Sequence, residues 1–222
     1  MEQRHFDREL LELKEKLLLM AAKVEQLIKQ SIESLVKKDA VLAQLLFALD
    51  KEVDRLEIEI EEDAIALIAR HQPAAGDLRF LIGAIKINND LERISDHGVN
   101  IAQSAIRLAA QPDLKPLIDI PRMAELSIGM LKDSLDSFVN NDPDKARAVC
   151  RSDDQVDDLK DQIFRELLTY MMEKQDSISR AMDLILVSRN LERVADLSTN
   201  ISEEEIYISE AKIIKHNVQK GK

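Results

Sequence analysis

Residues 90–101 read DLERISDHGVNI and residues 190–201 read NLERVADLSTNI, a match at a spacing of 100 residues. Such self-similarity marks an internal repeat, and it settles the architecture before any single element is assigned. Working outward, SLVKKD (34–39) aligns with SFVNND (137–142) at a spacing of 103. In that same register Asp50, Val53, Asp54, Leu56 and Ile60 meet Asp153, Val156, Asp157, Leu159 and Ile163. The second copy is therefore three residues shorter than the first, most simply in a turn.

Each copy reads as three helices. Leu10, Leu13, Leu17, Met20, Val24 and Leu27 recur every three or four residues, which puts them on one stripe of a helix spanning about 7–38. Lys37 and Lys38 suit its C-terminal end, and Asp39 is placed to cap the next helix. That helix carries Leu42, Leu45, Leu49, Val53, Leu56, Ile60 and Ala64, and it breaks at 71–76, where Pro73 and Gly76 punctuate the chain. The third carries Ala84, Ile87, Leu91, Ile94, Gly98, Ile101, Ala105 and Leu108. Pro112, Pro116 and Pro121 follow within ten residues, which one helix cannot accommodate.

The expected organisation is a first three-helix repeat at 7–111, a Pro-rich linker at 112–120, a second repeat at 121–209 and a charged tail at 210–222. Helices of the second repeat are expected at about 121–141, 143–175 and 177–209, with Asp142 as cap and Pro143 at the first helical position. Short connections force neighbours to run antiparallel, so the fold class is all-α: six long helices as two tandem three-helix bundles.

Composition agrees. Five Gly and five Pro in 222 residues leave few turns for a β-sandwich or a multi-loop α/β enzyme, while 45% hydrophobic residues suffice for a core. The 42 acids against 31 bases, a net charge of −11, argue against nucleic acid as a partner. The longest apolar run, 17–22, is far short of the roughly 20 residues that span a bilayer, and the first residues lack a signal-peptide apolar segment. The expectation is a cytoplasmic protein, not membrane-embedded. Its one cysteine, Cys150, fits a reducing compartment and reads as a small buried apolar side chain.

No GxSxG, HExxH, CxxC or Gly-rich phosphate loop is present, and Glu-x-x-His, needed twice in a di-iron bundle, occurs once, at Glu2–His5. What repeats is acid-x-x-x-acid, at Asp50/Asp54, Glu92/Asp96, Asp153/Asp157 and Glu192/Asp196. About eight acid pairs at this spacing arise by chance in so acidic a chain, so position must carry the argument. Asp50 and Asp96, like Asp54 and Glu92, are equidistant from residue 73 in the first turn; Asp153 and Asp196, like Asp157 and Glu192, are equidistant from the turn at 174–177. Each half should bring two acidic pairs level on antiparallel helices, about 30 Å from the turn. Four converging carboxylates suit a hard cation, with Asn100 and Asn200 one turn further on as additional neutral ligands and Asn88 one turn before Glu92. The plainer alternative is a solvated polar face, copied with the repeat and satisfied by Arg93 and Arg193 as surface ion pairs. His97 has Leu197 as its counterpart and reads as a flank residue, and Tyr170, Met171 and Met172 read as packing.

At DKEVD (50–54), DDQVD (153–157), NDLERISDHGVNIA (89–102) and RNLERVADLSTNIS (189–202) the sequence resembles the PhoU family, regulators that accompany the high-affinity phosphate transporter. The resemblance implies a negative regulator of phosphate uptake that is cytoplasmic, often a homodimer and not an enzyme. It also implies coupling of the phosphate ABC transporter, through its ATPase subunit, to a membrane sensor histidine kinase. Some members hold multinuclear metal clusters (Fe, or Mn, Mg or Zn) on these acid motifs. That implies ligands at Asp50, Asp54, Glu92 and Asp96 and at Asp153, Asp157, Glu192 and Asp196. Two other readings remain: a surface-site metalloenzyme acting on phosphate esters, and a metal-free structural helical scaffold.

Overall fold

The aligned hexapeptides 34–39 and 137–142 form the same turn. Lys38 and Asn141 both take left-handed φ, 56° and 50°, which lets the N–H groups of Asp39 and Asp142 reach back to the carbonyls of Ser34 and Ser137, each at 2.9 Å. The two aspartates then cap the next helix. Asp39 accepts from the N–H groups of Val41 and Leu42, and Asp142 accepts from that of Lys145. Each side chain satisfies orphan donors of a first helical turn.

The computed structural model describes residues 2–212, in which six long helices follow one another: α1 (Glu2–Lys37), α2 (Ala40–His71), α3 (Ala75–Ala109), α4 (Asp119–Asn140), α5 (Pro143–Glu173) and α6 (Ile178–Glu210). A 3-10 turn, Gln175–Ser177, joins α5 to α6. Of the expected tail, residues 213–222 lie outside those described. Helix α1 starts earlier than the apolar stripe suggests. Phe6 packs on the His71 ring at 5.1 Å between centroids, and Glu9 takes ion pairs from Arg70 and His71, so the end of α2 holds this turn. Gly76 lies inside the first turn of α3; the break belongs to Gln72, with φ 45°, and to Pro73. Helix α4 begins at Asp119, and Pro121 sits in its first turn, where a missing N–H costs nothing.

Leu13, Leu17, Met20, Val24 and Leu27 are at most 1% exposed, as their spacing requires. The start of α2 departs from expectation: Leu45 is 63% exposed, and Ala43 and Leu46 take the buried positions instead. Their spacing to Val53, Ile60, Ala64 and Leu67 follows the face that α1 and α3 cover.

The two bundles share one core. Helix α3 packs on α6 as well as on α1 and α2. A Cβ at Gly83 would meet Ile208 Cδ1 at 2.4 Å, so the glycine leaves room on α3 for the Ile208 side chain of α6. Polar rungs cross the same seam: Lys86 with Glu204 (3.0 Å), His97 with Asn190 (2.9 Å) and Arg107 with Asp183 (2.6 Å). As the α3 number rises the α6 number falls, so the helices run antiparallel. The connection between the halves is pinned to both, by Lys38 Nζ on the Gln111 carbonyl and by Arg180 on the Pro112 carbonyl.

Candidate functional site

The antiparallel register of α2 and α3 can be read from two side chains. Ser95 Oγ donates to Asp50 Oδ1 at 2.7 Å, and the Asn88 amide donates to the Glu57 carbonyl at 2.9 Å. Both contacts bring residues equidistant from the Gln72–Pro73 turn to one level, which places Asp50 beside Asp96 and Asp54 beside Glu92. These acids stand at the edge of the packed seam, with Leu91 and Ile94 buried beside Glu92. A carboxylate there loses hydration without gaining a counter-charge, and its charged form is disfavoured.

The electrostatics follow. Glu92 is pushed up to about 7, first by burial and then by the charges of Asp96, Glu57, Asp54 and Asp50. Burial, then Asp50 and Asp96, raise Asp54, with Lys51 opposing. Burial, then Glu61 and Asp54, raise Glu57. Asp50, Asp54, Glu92 and Asp96 are thus near enough to act on one another through charge, and Glu57, one turn along α2 from Asp54, joins them. Among the described residues none of Asp50, Asp54, Glu57, Glu92 or Asp96 is in an ion pair.

In the second half Asp153 is pushed up to about 6, by burial and then by Asp196, Asp157, Asp154 and Glu192. Asp196 is also raised, by burial and then by Glu192, with Arg193 opposing. Here cations intervene. Lys160 Nζ lies 3.0 Å from Asp157 and 3.3 Å from Glu192, and Arg193 lies 3.1 Å from Asp196 and 3.8 Å from Glu192.

Asn200 shares a cleft with Asp153 and Asp196, whereas Asn100 lines a groove between α3 and α6 with Gln103, Arg189 and Asn190. The polar-face alternative fits Arg193 but not Arg93, which pairs with Asp90 at 3.6 Å. His97 bridges the halves through Asn190. Cys150 is half-buried and its thiol is pushed up to about 11, by burial and then by Glu203 and Asp153. Met171 packs on the core, while Met172 is 81% exposed. Among the described residues no three His, Cys, Asp or Glu side chains are closed around one point as a ready ligand set. The carboxylates are near enough to raise one another's pKa yet remain apart, as mutual repulsion requires.

Glu57 and Lys160 were missing from the sequence-based site. Both lie three residues beyond the second acid of their α2 or α5 pair, at the 103-residue spacing, so the repeat carried the signal as a reversal of charge.

A family model described as the PhoU domain matches residues 17–105 and again 120–204. The phosphate-specific transport system accessory protein PhoU homolog of Aquifex aeolicus is 44% identical over 215 residues, covering 97% of each chain. That of Rhizobium meliloti is 38% identical over 205 residues, covering 92% of this chain and 86% of the relative. Among solved structures, PhoU from Pseudomonas aeruginosa superimposes with a TM-score of 0.90 at 34% identity, covering 93% of this chain and all of that one. The phosphate transport system regulatory protein PhoU from Streptococcus pneumoniae gives 0.87 at 29% identity, covering 94% and 98%.

Proposed function

The chain belongs to the PhoU family, and from that premise we propose that it is an accessory protein that negatively regulates phosphate uptake and the phosphate-starvation response. It acts on the cytoplasmic side by binding rather than by catalysis, as an adaptor between the ATPase subunit of the phosphate ABC transporter and a membrane sensor histidine kinase. The observation that carries the reading is the end-to-end match to relatives named as phosphate transport accessory proteins, 97% of this chain in one case. No described helix is long and apolar enough to cross a membrane, so contact with a membrane partner falls to exposed helix faces.

One such face supports docking. Phe164, Leu168 and Met172 follow one line of α5, and Leu186, Met182 and Ile178 follow one line of α6, level across the hairpin and all exposed. A continuous apolar stripe of this kind on a monomer marks an interaction surface. The occupant in this reading is the transporter's ATPase subunit.

The first-half acids fit a hard cation in donor chemistry: carboxylate oxygens that are in no ion pair among the described residues. Asp50, Asp54, Glu92 and Asp96 would hold it, as one ion or a small cluster. The ion supplies positive charge that lets the facing carboxylates of α2 and α3 stay ionised side by side. Ser95 orients Asp50 for this.

Deleting the gene should derepress phosphate-starvation genes in phosphate-replete medium, and tagged protein should retain the ATPase subunit and the sensor kinase at high phosphate. An unchanged phosphate response sinks the regulatory reading; loss of both partners sinks the adaptor. Light scattering of the purified chain reads the homodimer.

A further inference from the structure

The two copies of the acid motif share positions but not charge balance, and of three differences between them the first two shift that balance in the same direction. First, Glu57 in α2 is replaced by Lys160 in α5. Lys160 Nζ bridges Asp157 and Glu192, one acid from each helix of its pair, and reaches Asp161 at 3.7 Å. Second, Asp90 in α3 is replaced by Asn190 in α6. Arg93 pairs with Asp90, whereas Arg193, facing a neutral residue at that position, pairs with Asp196 and Glu192. Asn190 is instead taken by His97 across the seam. Third, Asn88 is replaced by Ser188. Asn88 is fully buried against the Glu57 carbonyl, and its Oδ1 has no hydrogen-bond partner among the described residues, while Ser188 is satisfied by the Ile185 carbonyl.

The result is five carboxylates without an ion pair in the first half, against a second half in which two cations pair with three of the four carboxylates, Asp157, Glu192 and Asp196. Arg193 also lines both second-half clefts, the one holding Lys160 and Glu192 and the one holding Asp153 and Asp196. A cation entering there would have to displace a guanidinium and an ammonium from the carboxylates it needs. A cation entering the first half breaks no ion pair, although Lys51 already acts on Asp54 through its charge.

We propose that the duplicated motif has diverged into two devices: an open site for a hard divalent cation in the first half, and in the second a cluster closed by its own cations, Lys160 and Arg193. The proposal rests on the reading of the first-half acids as a cation site. It assigns to Lys160 the role that a bound ion would otherwise fill, holding α5 and α6 together through opposed carboxylates. Asp153, Asp157, Glu192 and Asp196 are then structural acids rather than metal ligands.

The test uses the full chain and Mn²⁺ as the probe. Protein stripped with chelator is titrated with Mn²⁺ by calorimetry, and thermal unfolding is followed separately in chelator. Wild type should bind Mn²⁺; Glu92→Gln with Asp96→Asn should abolish binding; Glu192→Gln with Asp196→Asn should leave it unchanged. Glu57→Lys should weaken binding by about tenfold or more, and Lys160→Glu should add a second binding event. In chelator, with no metal present, Lys160→Glu should lower Tm and Glu57→Lys should raise it, each by roughly 2–4 °C. Equal loss of Mn²⁺ on neutralising either pair overturns the divergence but keeps the cation reading. Absence of Mn²⁺ binding in wild type, with the chelator shifts as expected, overturns the cation reading and supports the self-closed second half. Chelator shifts of zero or opposite sign overturn the role assigned to Lys160.

Discussion

Glu92→Gln offers the sharpest reading of the first-half cluster, because it removes one charge at nearly constant shape. The Glu92 carboxyl titrates near 4.5 when unperturbed and at about 7 in the folded chain. Between those values the folded chain holds a proton that the unfolded chain has released. The associated stability is therefore complete below about pH 4.5 and is lost as pH rises through 7. At about 1.4 kcal/mol per unit the full shift corresponds to roughly 3 kcal/mol. Because the carboxyl is partly open to water, screening reduces this to about 1–2 kcal/mol. The glutamine variant should thus match wild type at pH 5 and exceed it at pH 8, where about 1–2 kcal/mol translates to some 2–8 °C in Tm for a chain of this size. The assay is thermal unfolding by circular dichroism at unit steps from pH 5 to 8, in chelator. Asp153 and Glu205 are also raised, to about 6 and about 7, but they are common to both proteins and cancel in the difference. Parallel profiles, or a variant less stable at pH 8, would refute the claim that burial and the neighbouring carboxylates disfavour the charged form of Glu92.

Other substitutions test separate parts of the fold. Gly98→Ala drives a Cβ to 2.1 Å from Leu27 Cδ2 and 2.9 Å from Ile28 Cδ1, so these side chains must repack or α1 and α3 must separate, at a cost of about 1–3 kcal/mol read by denaturant unfolding. Gly76→Ala meets nothing within 4 Å on a helical backbone and should stabilise by about 0.4–1 kcal/mol in the same assay. Asp142→Ala removes the α5 cap and should cost about 1 kcal/mol. Phe164→Asp with Met182→Asp should abolish retention of the transporter's ATPase subunit in pull-downs while leaving helicity and Tm unchanged, since both side chains are exposed.

Helix count, the two Asp caps and the level of the acid pairs were legible in the sequence because each rests on local spacing or on a symmetric turn. Leu42, Leu45 and Leu49 mark where spacing alone misleads. Several leucines at consecutive three- and four-residue steps fit two neighbouring stripes of one helix, and only the partner face decides that Leu46 is buried and Leu45 is not. The early start of α1 was hidden for a similar reason, since it depends on Phe6 and Glu9 meeting the far end of α2. The sign change from Glu57 to Lys160 lies in the aligned copies, but a repeat is recognised by residues that match, and this position differs.

The seam between the halves was illegible for a physical reason. Asp183, Glu204 and Glu205 are 7%, 1% and 0% exposed, yet charged side chains in a helical pattern are assigned to the solvent face. Asp183 and Glu204 are buried at small cost because Arg107 and Lys86 arrive from α3, a partner that local periodicity cannot announce. Glu205 has no such cation at bonding distance. Its carboxyl is pushed up to about 7 by burial, against which the Ser209 hydrogen bond acts, and Oε2 has no partner among the described residues. The pairs Lys86–Glu204 and Arg107–Asp183 bring specific levels of α3 and α6 together. Register matters here because residues of the α3–α6 seam also set the electrostatics of the acid motifs. His97 takes Asn190, and the neutral Asn190 stands where Asp90 holds Arg93 in the first copy. A change at such a seam position therefore alters the charge balance of one cluster without touching the other.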